Sequence, residues 1–331
     1  MGFAPLNPST CLAPNVGWVE HRQTHRARLP CVDRDVSLCS THPTLADRSG
    51  FSVVEGKRMN TRPRQSTGSE GLEFFCRHLV ALCVTYQTTG SDSGEPPHFA
   101  AYSGTLIQIQ NTVCFLTAGH VLRNVEAALK SDQVTICNTI LADTFGLSRV
   151  SEYPIPFDLK NARLFYVDED KAGLDFGVIV LDPYYVRLLS YNGTVALQEQ
   201  NWISQSAIEF DGYMMLGLPE EFISGHLTGS GEGTVSPTMF GVHRLESPPD
   251  DRPPTLHSQF VGQLDRALAI KSVKGMSGGP IFGFRLEPEM SYWVVALQSS
   301  WDPTKRIVYG CSLPILASLM TKWAADPNLE P

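Results

Sequence analysis

The apolar positions of this chain fall in short runs broken by Gly, Pro, Asn and Asp. From residue 80 onward these runs cover Val80–Thr85, Ala100–Gln110, Val113–Thr117, Val134–Leu141, Ala162–Tyr166 and Leu174–Leu181. Short alternating or wholly apolar runs bounded by turn residues predict β-strands. Asn111-Thr112 predicts a hairpin turn between the second and third runs. A second series follows Asn192: Ser206–Glu209, Tyr213–Leu216, Gly233–Phe240, Phe260–Leu264, Pro280–Phe284, Tyr292–Gln298 and Arg306–Leu313. Strands this short and this closely punctuated predict barrels and not βαβ units. Helical signals are few. Thr67-Gly68-Ser69-Glu70 has the spacing of a capping box ahead of Leu72, Phe74, Phe75 and Leu79. A short helix is predicted over Val121–Lys130, and a crossover turn or short helix over Tyr184–Leu189. Ser312 ahead of Pro314 predicts a C-terminal helix over Ile315–Trp323, stopped at Asp326-Pro327.

Residues 1–66 carry no sustained periodicity and mix prolines, arginines and histidines. Residues 1–70 are therefore expected to be a disordered or mis-annotated extension, with Met59 as a candidate natural start that would leave out residues 1–58, and residues 71–331 to form one domain. The hydrophobic content of 42% suffices for a sizeable core. The formal charge of −8 is unevenly spread, with nine Lys/Arg against six Asp/Glu in residues 1–70 and 17 against 28 beyond. That balance argues against a general nucleic-acid or membrane-surface binder. No apolar run approaches the roughly 18 residues a membrane span requires, and the N-terminus lacks the apolar core of a signal peptide. Eight cysteines occur without a CxxC pair, so no zinc site is expected. We read the core cysteines as buried free thiols, with a cytoplasmic location as the expectation that follows.

The chemistry centres on Lys274-Gly275-Met276-Ser277-Gly278-Gly279-Pro280, a Gly-rich turn that presents one hydroxyl. A serine becomes a nucleophile only when a base takes its proton. The N–H groups of Gly275 and Ser277 can converge as an oxyanion hole, in which one donor is worth about 3–4 kcal/mol. A base stands in Thr117-Ala118-Gly119-His120, at the end of a strand-like run. An acid opens Asp175-Phe176-Gly177-Val178, with Asp168, Asp170 and Asp182 as rivals. Thr228-Gly229-Ser230-Gly231-Glu232-Gly233 reads as a loop rather than a phosphate cradle, and Asn192-Gly193-Thr194 as a turn.

In this order the three segments resemble the histidine, aspartate and serine boxes of the trypsin-like (chymotrypsin-fold) serine peptidases, across roughly residues 72 to 325. The order differs from those of subtilisins and α/β-hydrolases. The resemblance implies an all-β fold of two six-stranded antiparallel β-barrels with a C-terminal helix. It implies a serine endopeptidase acting on polypeptides, with His120, Asp175 and Ser277 catalytic, Gly275 and Ser277 as the oxyanion hole, and neither metal nor cofactor. Lys271 stands six before Ser277, where the family has the base of its primary specificity pocket; pointing inward it would favour an acidic P1 side chain. Gln298, Ser299, Ser300 and Trp301 are similar to the strand that pairs with substrate. Met276 replaces the aspartate that secreted members pair with a new N-terminus, which implies a site needing no zymogen cleavage. In this, and at Tyr309–Pro314, the chain is similar to the Deg/HtrA branch and bacterial trypsin-like domains, without a PDZ domain. Val121 and Val273 stand where secreted members carry disulfide cysteines. A catalytically idle peptide-binding or scaffold module with the same cleft is the alternative, and esterase action a third.

Overall fold

The computed structural model describes residues 68–90, 96–143, 145, 154–202, 208–223 and 233–325, together with Arg26 and Ala27. The N-terminal extension is otherwise outside the described residues, as are Thr67 of the capping box, Thr228–Glu232 and Asp326-Pro327. Arg26–Ala27 pairs antiparallel with Gly233–Thr234.

The first half contains α1 (Gly68–Cys76), β1 (Leu79–Thr88), β2 (His98–Ile109), β3 (Thr112–Thr117), α2 (Gly119–Lys130), β4 (Val134–Ala142), β5 (Arg163–Glu169), β6 (Leu174–Val180) and α3 (Pro183–Tyr191). Its strands form a seven-stranded antiparallel sheet in the order Ile155–Pro156, β4, β1, β2, β3, β6, β5. Among the described residues the ladder does not close between Ile155–Pro156 and β5. The prolines at 154 and 156 flank the short strand's first residue and withhold the N–H groups a longer edge would need.

The sequence of β1 explains why this sheet is buried on both faces. Successive side chains point to opposite faces of a strand. Val80, Leu82 and Val84 join Leu106, Phe115 and Ile179 in a core closed by Leu122 and Val125 of α2 and Leu189 of α3. Leu79, Ala81 and Cys83 join a second core that reaches Leu216, Phe282, Leu297 and Leu313 of the other half. The unbroken apolar run Leu79–Val84 is what such a doubly covered sheet requires, and the strand turns polar only toward its far end, where Gln87 and Thr88 are exposed.

The second half contains β7 (Gly212–Gly217), β8 (Thr238–Arg244), β9 (Gln259–Leu264), β10 (Pro280–Arg285), β11 (Ser291–Asp302), β12 (Ile307–Ser312) and α4 (Leu313–Ala325). The six strands close into a barrel in the order β8, β9, β12, β11, β10, β7. Met215, Phe240, Phe260, Leu264, Ile281, Ala296 and Val308 share its core. The architecture is thus all-β with two antiparallel sheets and a C-terminal helix; among the described residues the second half is a closed six-stranded barrel and the first an open seven-stranded sheet, where two six-stranded barrels were expected. Of the run Ser206–Glu209, Ile208 and Glu209 are outside any strand and the rest lies outside the described residues. The run Gly233–Phe240 is interrupted over Val235-Ser236-Pro237, and β8 continues instead to Arg244. Pro237 again explains the break.

Cys76, Cys83, Cys114 and Cys311 are buried free thiols and Cys137 is an exposed one. Burial pushes Cys76, Cys83 and Cys311 up to about 12 and Cys114 to about 11. No helix among the described residues is long and apolar enough to cross a membrane.

Candidate active site

His120 stands in the first turn of α2, directly after β3. The turn is tight because Gly119 has no side chain: a Cβ there would lie 2.0 Å from the carbonyl oxygen of Val167 on β5. Thr117 pairs with Gly177 across β3 and β6, which brings the start of α2 beside the start of β6. Asp175, second residue of β6, therefore faces His120. Its Oδ2 accepts from the His120 ring Nδ1 at 2.8 Å, and its Oδ1 accepts from the His120 backbone N–H at 2.8 Å. The Ser299 hydroxyl donates to Oδ2 at 2.7 Å. Burial alone would raise the Asp175 carboxyl, but the hydrogen bonds and charge of His120, with Ser299, outweigh it and hold Asp175 below the usual carboxylate range. The carboxylate can only accept, so Nδ1 carries the proton and Nε2 is left with its lone pair.

Burial pulls the His120 imidazole down, yet the Asp175 hydrogen bond and charge, helped by Asp168, win and raise it above its ordinary value. Asp168 lies directly opposite Asp175 in the β5–β6 register and forms an ion pair with Arg123 of α2. Burial and the Asp175 charge raise Asp168. Of the other acidic rivals, Asp182 caps α3 through Tyr184 N–H at 2.8 Å, and Asp170 lies in the β5–β6 turn.

Ser277 lies on the loop between β9 and β10 and is partly buried. Gly278 has φ +85°, and a Cβ there would lie 2.2 Å from Thr117 Oγ1 and 2.6 Å from the Ser103 carbonyl, so the loop docks directly onto the first half. Among the described residues the Ser277 hydroxyl makes one hydrogen bond, to the Ser299 carbonyl at 3.4 Å, and none to His120.

The amide groups of this loop are unequally used. Met276 N–H bonds Val273, Gly278 N–H bonds Gln298, and Gly279 N–H bonds Met276. Among the described residues the N–H groups of Gly275 and Ser277 have no protein acceptor. Each belongs to a peptide whose carbonyl is tied: Lys274 O accepts from Glu220 N–H at 2.7 Å, and Met276 O from Gly279 N–H at 2.8 Å. A trans peptide points its N–H away from its carbonyl, so both orientations are fixed. Met276 itself is fully buried, in the barrel core with Ile270 and Val273. The Gly275 carbonyl accepts from Ser103 Oγ at 3.0 Å, and that oxygen accepts from Leu218 N–H at 2.9 Å.

The four remaining sequence candidates separate. In β11 the register shifts between Gln298 and Ser300, leaving Ser299 as the extra residue of a bulge. A bulge re-aims a side chain, and here it sends the Ser299 hydroxyl to Asp175. Sequence reasoning placed Ser299 on the substrate strand and missed this bond, because a bulge leaves no mark in the residue pattern. Gln298 is 2% exposed and, among the described residues, its Oε1 has no hydrogen-bond partner. Ser300 is exposed. Lys271 is also exposed, and its backbone N–H bonds Glu221 Oε1 at 2.9 Å. The structure therefore does not place its ammonium in a buried pocket, in keeping with the cost of desolvating an unpaired cation. Sequence reasoning also missed Ser103, whose partner in the chain is 172 residues away. Among the described residues no cluster of His, Cys, Asp and Glu could hold a metal ion.

No protein-family model and no curated protein matches the chain. Solved structures that it resembles include several proteases. The protease Anisep from Arthrobacter nicotinovorans is 14% identical over 76% of this chain and 96% of that one, with a TM-score of 0.42. A Glu endopeptidase is 15% identical over 74% of this chain and 89% of its own, with a TM-score of 0.39. The thermostable serine protease AL20 from an extremophilic microorganism is 12% identical over 75% and 97%, with a TM-score of 0.41.

Proposed function

We propose that the chain is a serine endopeptidase, with residues 71–331 as its catalytic domain. Ser277 attacks a peptide carbonyl while His120 Nε2 takes the hydroxyl proton. Asp175 keeps the ring in the required tautomer and stabilises the imidazolium that forms. The oxyanion develops between the free N–H groups of Gly275 and Ser277. His120 then returns the proton to the leaving amine, and water attacks the acyl-enzyme by the reverse route. Gln298, Ser299 and Ser300 offer the strand along which an extended polypeptide adds. The reaction needs no cofactor. The free thiols fit the reducing cytoplasm.

One residue carries this reading. Ser299 holds the acid with its hydroxyl and the nucleophile with its carbonyl, so the His120–Asp175 pair and Ser277 meet across a single bulge. The Ser277 hydroxyl donates to that carbonyl and not to His120. Catalytic hydrogen bonds are often long before substrate binds, and a rotation about χ1 of Ser277 redirects the hydroxyl. The same observation favours the second reading, an idle peptide-binding module. A fluorophosphonate probe separates the two. Labelling that Ser277→Ala abolishes, together with a fall of about 10⁵–10⁶-fold in peptide hydrolysis, supports the enzyme. A folded wild-type protein that stays unlabelled supports the module.

A further inference from the structure

Met276 lies in an apolar core and gives the loop that presents Ser277 no charged anchor at that position; the loop's ion pair is at its start, where the exposed Lys274 ammonium meets Glu220 at 2.9 Å. The shape of the loop instead depends on where its carbonyls are anchored. The peptide ahead of the free Gly275 N–H is held by Glu220 N–H, on the segment that leaves β7. The peptide behind it is held by the Ser103 hydroxyl, which comes from β2 in the other half of the molecule. That hydroxyl also accepts from Leu218 N–H, two residues before Glu220. One oxygen thus grips the loop twice, directly at Gly275 and through the segment that holds Lys274. Ser103 is itself fixed, because its carbonyl accepts from Thr117 Oγ1 at 2.7 Å, three residues before His120. It is fully buried, so water cannot replace it.

We propose, on the peptidase reading above, that Ser103 is a positioning residue for the oxyanion loop. It registers the Gly275 N–H against the strand that carries His120, supplying from inside the fold the anchor that Met276 cannot give. Without the hydroxyl, Gly275 O and Leu218 N–H lose their common partner in a dry site, and both groups must find new ones. Any shift that satisfies them turns the peptides flanking Gly275. Misplacement by about 1 Å can cost about 10²-fold in rate.

The test is Ser103→Ala in the full chain, with kcat, KM, the rate of fluorophosphonate labelling and the thermal unfolding midpoint all measured. Labelling and kcat are expected to fall together by about 10- to 100-fold, with KM within about twofold of wild type. Ser103→Cys keeps the volume with a weaker donor and is expected to fall between; it also decides the matter should the alanine variant not fold. A variant that melts earlier but keeps wild-type kcat and labelling at a temperature where it is folded overturns the inference and leaves the peptidase reading standing. A wild type that neither hydrolyses peptides nor takes the probe overturns both.

Discussion

In the first half of the molecule the proposed base and acid sit at the ends of ladder strands, and hydrogen bonds from side chain and backbone set them. His120 follows β3 directly, Asp175 begins β6, and both bonds between them measure 2.8 Å. In the second half the proposed nucleophile sits on an irregular loop, and backbone carbonyls tied to distant donors set it. The first arrangement is local, since one ladder register dictates it. The second is global, since it needs β2, β7 and the loop to arrive together. On the proposed reading an open sheet thus carries the His120–Asp175 pair, while the loop of Ser277 depends on how the two halves meet.

The contrast can be broken from either side. Asp175→Asn keeps the shape but offers the ring an amide in place of an ionised acceptor, which favours the wrong tautomer. We expect kcat to fall about 10⁴-fold with little change in folding stability, as measured by steady-state kinetics beside urea unfolding. The reverse pattern is expected at the loop. Gly278→Ala sets a Cβ against Thr117 Oγ1 and the Ser103 carbonyl at a φ of +85°. It should cost about 3 kcal/mol or more of unfolding free energy as well as activity. Gly241→Ala, where a Cβ meets nothing within 4 Å, is the control and should be neutral in urea unfolding.

The smallest effect concerns pH. On the proposed reading His120 acts as a base only when neutral, so activity should fall as pH drops through its raised pKa. The acid limb of kcat/KM is therefore expected above the ordinary imidazole value. Asp168 is one of the anions that raise the ring. Removing its charge with Asp168→Asn favours the neutral ring, so the limb should move to lower pH while the plateau stays. A pH–rate profile with an unmoved limb would remove Asp168 from the site's electrostatics.

Most strands were legible because both faces of the first sheet are buried and its runs are apolar throughout, as Leu79–Val84 shows. The residues of the proposed triad were legible for a different reason. Each lies within two residues of a glycine that the close approach of two backbones demands, and Thr117–His120 and Asp175–Gly177 pack against one another through such glycines. The open edge of the first sheet was not foreseen, although Pro154 and Pro156 spell out its physical cause. Neither was Ser299 as a ligand of Asp175, since a bulge arises from pairing and not from residue type. Ser103 carries no local signal at all. A serine in a strand next to a glycine reads the same whether its hydroxyl faces water or a loop from the other half.

The buried thiols give the molecule its own clock. A thiol held near 12 reacts with an alkylating reagent only while its surroundings are open. Cys83 and Cys114 time the breathing of the open sheet, Cys311 that of the closed barrel, and Cys137 sets the unhindered rate. Mass spectrometry of the alkylated chain would therefore rank the two halves by local stability, without any probe being added to the sequence.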